Sequence, residues 1–157
     1  EWIEFIKERM TGKYPDMALK EIRYSDGQRD KAMTETRNML NKYPDLKGVM
    51  AIAAPAVPGA GEALKQADRS DIKLTGLSVP SLCRAYVHDD FIDSIILWNT
   101  VDLGYLTVHA ARAVAEGNLT DGSHDFGRLK NIEVGDGNVY LGKPFVFNKA
   151  NIDNFDF

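Results

Sequence analysis

Three short apolar runs set the fold: Val49-Met50-Ala51-Ile52-Ala53, then 72–77, then Ser94-Ile95-Ile96-Leu97-Trp98-Asn99. They recur at roughly 25-residue spacing, and each leads into a segment of helical period. The first is apolar throughout, as a strand covered on both faces is, and not alternating as a half-exposed strand would be. Strand and helix in strict alternation require right-handed crossovers and a mostly parallel sheet. The fold expected is therefore α/β, a Rossmann-like layered domain with a C-terminal β-hairpin.

The remaining elements follow from local signals. Glu1 to Met10 reads as an amphipathic helix with Trp2, Phe5, Ile6 and Met10 on one face. No capping residue precedes it, which predicts that further sequence lies upstream. Met17 to Tyr24 reads as a strand ending at the turn Ser25-Asp26-Gly27. A helix from Gln28 to Lys42 turns Ala32, Met33, Thr36, Met39 and Leu40 inward before Pro44 stops it. Further helices are expected over 59–67, 81–88 and 102–116, the last ended by Gly117. Beyond Asn118 the pattern changes. Asp121-Gly122-Ser123 reads as loop, 132–134 and 139–141 flank a hairpin turn at Gly135-Asp136-Gly137-Asn138, Pro144 to Phe147 reads as a strand, and Asn151 to Phe157 as an aromatic tail.

Charge and composition exclude several classes. A net charge of −4 with pI near 5.4 is the wrong sign for a surface that tracks phosphates, so no nucleic-acid partner is expected. No apolar stretch approaches the ~20 residues that span a bilayer. Cys83 is the single cysteine, so no internal disulfide or cysteine metal cluster can form, and it reads as a small packed residue. His88, His109 and His124 fall on separate elements without a paired ligand spacing, and no metal site is expected. Gly59-Ala60-Gly61 lacks the third glycine of a dinucleotide loop and the Gly-Lys-Ser/Thr of a phosphate loop. It reads as close packing of a helix on the sheet, and no cofactor is expected.

Gly76-Leu77-Ser78-Val79-Pro80 resembles a hydrolase nucleophile elbow with its last glycine replaced by proline, and only distant groups such as Asp102 and His124 could complete it. A serine hydrolase is the weaker reading, and no enzymatic activity is expected. In an open α/β sheet, ligands bind outside the carboxyl ends of the strands. The residues there are Ser25 with Asp26, Ala53, Ala54, Pro55 and Ala56, Ser78 to Pro80, and Trp98 with Asn99. Most are neutral hydrogen-bonders, small residues or aromatics, a set suited to holding a polyol rather than transforming it. Asn99 reads as a ligand contact or a helix cap, and Trp98 as core or a platform for a sugar ring.

The strings KYPDLKGVMA at 42–51, TGLSVPS at 75–81 with RAYV at 84–87, LWNTVDLGY at 97–105 and PFVFNKANIDNFDF at 144–157 resemble the C-terminal lobe of type I periplasmic sugar-binding proteins. The likeness is to the rhamnose-binding and autoinducer-2-binding receptors of ABC importers. It implies two Rossmann-like lobes that close on a sugar, of which this chain is mostly the second. Residues 1–99 would then be the second-lobe core. Residues 100–127 would be a crossover whose helix packs on the absent first lobe, and 128–157 the return segment, hairpin and tail. Ala53 to Ala56, Ser78 and Asn99 correspond to ligand contacts of the family.

The same likeness implies a membrane permease as partner and an extracytoplasmic place, in a periplasm or on a Gram-positive lipoprotein anchor. LWN-x-x-DLGY points to the rhamnose branch, with autoinducer-2 as the alternative ligand. A sugar-responsive effector domain of a transcription regulator would share the fold. With its usual partner lobe absent, the chain is expected to self-associate through the helix at 102–116.

Overall fold

The computed structural model describes residues 2–157; Glu1, read as the start of the first helix, lies outside the described residues. The elements are α1 (Trp2–Lys13), α2 (Arg29–Lys42), β1 (Gly48–Ala51), α3 (Ala56–Gln66), β2 (Lys73–Leu77), α4 (Pro80–His88), β3 (Ser94–Leu97) and α5 (Thr100–Ala115). Then come β4 (Gly122–Phe126), β5 (Leu129–Gly135), β6 (Asn138–Tyr140), β7 (Phe145–Phe147) and a 3-10 turn at Ile152–Asn154. The alternation expected from the apolar runs is present. β1, β2 and β3 pair in parallel in that order, and β7 returns antiparallel to β3.

The sheet and its helices enclose one main core, with Leu64, Ile72, Leu74, Ile95, Phe147 and Ile152 essentially free of solvent. The aromatic tail belongs to it. Phe155 meets Phe147 edge to face at 4.8 Å, and the Phe157 carbonyl accepts the Ser81 N–H at the first turn of α4. That N–H has no partner within its own helix, so the tail serves as the cap that Val79 does not supply.

α3 begins at Ala56, three residues before the helix read from the sequence. Pro58 sits in its first turn, where no N–H is required of it. The glycines of this helix also serve another contact than the one expected. A Cβ on Gly59 would lie 2.4 Å from the Arg29 carbonyl oxygen and 3.1 Å from Ala32 Cβ, so the glycine lets α3 press on α2 rather than on the sheet. The Tyr86 hydroxyl then ties three helices together, donating to Glu62 Oε2 at 2.7 Å and accepting from Arg29 at 2.9 Å.

Residues 17–24 form no strand, contrary to their pattern. A strand exists only through a neighbour that takes its backbone groups, and this segment has none. It is held along α2 by ion pairs of Glu21 with Lys42 and of Arg23 with Glu35. Among the described residues β1 pairs with β2 alone, so it is an edge strand, and its residues alternate between exposed and buried with Met50 turned outward, not covered on both faces as the apolar run predicts. A groove of about 1020 Å³ runs there, lined chiefly by Phe5, Ile6, Met10, Tyr14, Met17 and Met50. α1 buries none of its residues.

A second, smaller core gathers Leu106 of α5 with Phe126, Ile132 and Val134 of the antiparallel sheet β4-β5-β6. The expected hairpin is β5–β6, with Asp136 and Gly137 both at positive φ, the geometry of a two-residue primed turn. Gly122 and Ser123, read as loop, instead open β4 opposite Val134 and Glu133. Ser123 to Asp125 carry polar side chains, and only Phe126 of the strand is buried, so the apolar pattern that announces a strand is missing.

Candidate functional site

The parallel strands β1, β2 and β3 bring their carboxyl ends to one edge of the sheet, and with them three turns. Ile52 to Pro55 follow β1, Ser78 and Val79 follow β2, and Trp98 and Asn99 follow β3. Each turn opens directly into a helix, so the first turns of three helices lie at the same edge. The candidates from the β1, β2 and β3 ends are brought together here.

Their environments differ. Ala53, Ala54 and Pro55 are half-buried, whereas Ala56 lies inside the first turn of α3 with its side chain in the core. Ser78 is fully buried, and its hydroxyl donates to the Ala54 carbonyl oxygen at 2.8 Å, joining the turn after β2 to the turn after β1. A carbonyl oxygen cannot take up the serine proton as a base would. The two groups that could have completed a triad are engaged elsewhere, His124 with the Thr120 carbonyl oxygen and Asp102 with Arg128. Cys83 lies beneath the same turn, where burial pushes its thiol up to about 11 against a smaller opposing contact from Ser78. Such a thiol is neither nucleophile nor ligand near neutral pH.

Asn99 is the N-cap of α5. Its Oδ1 accepts the Asp102 N–H at 3.0 Å, and this bond fixes the amide's orientation, since only the oxygen can accept. The cap reading and the contact reading then apply to different atoms. Oδ1 holds the helix, and Nδ2 is left to donate. Trp98 is half-buried, with Trp2 of α1 edge-on at 6.4 Å. Ser25 and Asp26 follow no strand; Asp26 is at positive φ in a turn and pairs with Lys31.

Two residues at this edge have roles not read from the sequence, where Asp102 figured only as a distant group for a triad. Asp102, in the first turn of α5, has a mostly buried carboxylate whose Oδ1 lies 2.5 Å from Arg128 Nη1, an ion contact in which no N–H is aligned on the oxygen. Arg128 comes from the turn between β4 and β5, and its guanidinium lies over the Tyr105 ring at 4.6 Å. Asp102 was legible as a first-turn acid three residues after a capping Asn. Nothing local in the sequence marks Arg128.

A family model of the periplasmic binding protein domain matches residues 1–119. Among solved structures, a sugar ABC transporter protein of Actinomyces odontolyticus is 26% identical with a TM-score of 0.86, covering 99% of this chain and 52% of that one. A solute-binding protein of Clostridium phytofermentans with bound L-rhamnose is 27% identical with a TM-score of 0.82, over 98% of this chain and 53% of that one. LsrB of Clostridium saccharobutylicum, in complex with AI-2, shares the fold at 20% identity and a TM-score of 0.83, over 99% and 54%. The chain thus spans about half the length of these structures. It belongs to the periplasmic binding protein domain family.

Proposed function

We propose that this chain is the C-terminal lobe of an extracytoplasmic sugar-binding receptor of an ABC importer. It holds a deoxyhexose such as L-rhamnose at the carboxyl edge of β1–β3 and performs no covalent chemistry. The observation that carries this reading is the convergence of three turns without charged side chains on one edge, with the Asn99 amide nitrogen left to donate. Ser78 contributes by locking two of those turns to each other. The likeness to an L-rhamnose complex over nearly the whole chain supports the ligand class, and the AI-2 complex keeps autoinducer-2 as the alternative.

Asn99→Ser separates the two roles of the amide. Serine caps helices about as well as asparagine, so α5 should stay in place while the Nδ2 donor is replaced by a shorter hydroxyl that does not extend to its position. In a full-length receptor containing this chain, calorimetry should show L-rhamnose affinity falling about two- to twelvefold, the span of one hydrogen bond. Unchanged affinity would remove Asn99 from the site.

α5 is apolar around most of its circumference. Leu106 points inward, while Val101 and Val108 on one side, and Leu103 and Val114 on another, are exposed. A helix of that character is normally covered on all sides, which supports a first lobe as its partner. By itself at tens of micromolar, this 17.5 kDa chain is expected to self-associate, and Val101→Asp with Val108→Asp to weaken that association. A single monomeric mass for the unaltered chain in light scattering would refute the expectation.

A further inference from the structure

We propose that Asp102 and Arg128 form a clasp that positions Asn99 for its ligand by tying the outgoing chain after β3 to the returning chain before β5. The inference rests on the sugar-binding reading above and adds a positioning pair to it. The donor that Asn99 offers a ligand is Nδ2, and its direction is set by the bond that the Asp102 N–H donates to Oδ1. Whatever fixes Asp102 therefore fixes the donor.

Arg128 holds that residue from a separate segment. Its guanidinium contacts the Asp102 carboxylate, whose side chain is only 21% exposed, and rests on Tyr105, three residues further along α5. The Arg128 backbone N–H donates to the Tyr105 hydroxyl at 3.3 Å, so α5 is gripped at its first turn and at its second. The close approach needs Gly127, which is at φ +57°, a region costly for other residues, and whose Cβ would overlap the Tyr105 hydroxyl. Arg128 is half exposed and supplies positive charge to a carboxylate that has no other cation partner among the described residues. Removing the guanidinium leaves Asp102 buried without a counter-charge and frees the first turn to shift.

The test is a cycle in a full-length receptor containing this chain, with L-rhamnose as the probe. Arg128→Met should weaken binding about two- to tenfold, and by no more than Asn99→Ser does, because it acts only through that amide. Arg128→Lys should recover part of that, because it keeps the charge and loses the stacking on Tyr105. The deciding arm is Arg128→Met in the Asn99→Ser background, where the loss should vanish because the donor being positioned is already gone. Hydrogen exchange of the Asp102 amide, measured without sugar, should quicken in Arg128→Met while amides of β2 stay protected. Wild-type affinity in Arg128→Met, or the same loss with and without Asn99, overturns the clasp. If the unaltered receptor binds neither L-rhamnose nor autoinducer-2, the functional reading has failed, and unchanged exchange of the Asp102 amide then overturns the clasp separately.

Discussion

Gly76→Val is expected to destabilise the chain by at least about 3 kcal/mol, with Gly48→Ala within about 0.5 kcal/mol of the unaltered protein. Gly76 lies in β2, between β1 and β3, directly opposite Ala51. A Cβ built there would stand 1.8 Å from the Ala51 carbonyl oxygen and 2.7 Å from its carbon. Both atoms are backbone, so relief requires β1 and β2 to separate, at the cost of their ladder bonds. At Gly48 the nearest atom is the Lys73 carbonyl oxygen at 3.6 Å, an ordinary contact. Small domains are stable by only about 5–15 kcal/mol, so the substitution removes a large share of the total. It should also open the site, because Ser78 follows two residues later and its bond to Ala54 depends on the spacing of the same two strands. Urea denaturation of the three proteins decides the matter, and matching midpoints for Gly76→Val and the unaltered chain would sink the account.

The parallel core could be read from sequence because its strands are apolar runs, although β1 and β3 are each covered on one face only, with Met50 and Ile96 turned outward. Residues 17–24 form no strand for a different reason: Ile22 and Tyr24 alternate with Glu21 and Arg23 as strand residues do, but pairing is a property of the neighbour and not of the segment. β4 was missed because its inward residue is a single phenylalanine and its pairing lies with β5. Gly59 was legible as a site of close approach, but what approaches it, the Arg29 carbonyl on α2, is set by helix packing that no local window contains.

The site divides along the same line. Asn99 stands out because it ends an apolar strand just ahead of a helix, and both readings of it are local. Which of its atoms is free to meet a ligand emerges only from the bond to the Asp102 amide. Arg128 reaches the site through a turn far along the chain, so it has a role only once the small sheet has folded against α5. Its contribution is therefore invisible to any spacing rule.

The largest expected effect concerns the chain by itself. Binding sites for small ligands bury about 70–90% of the ligand between their walls, and in the proposed reading the turns after β1, β2 and β3 are one such wall, on one edge of a sheet. If that wall carries about half of the free energy of a micromolar complex, roughly 4 of 8 kcal/mol, the single lobe binds with a Kd near 1 mM. We therefore expect L-rhamnose to bind the 157-residue chain at least about a hundredfold more weakly than a full-length receptor containing it, with both titrated in one buffer. Chemical-shift titration reaches the millimolar range, and the Trp98 indole and Asn99 amide signals should move first if the wall is correctly placed. Micromolar binding by the chain alone would put the whole recognition energy on this edge, and lobe closure would then have no part in holding the sugar.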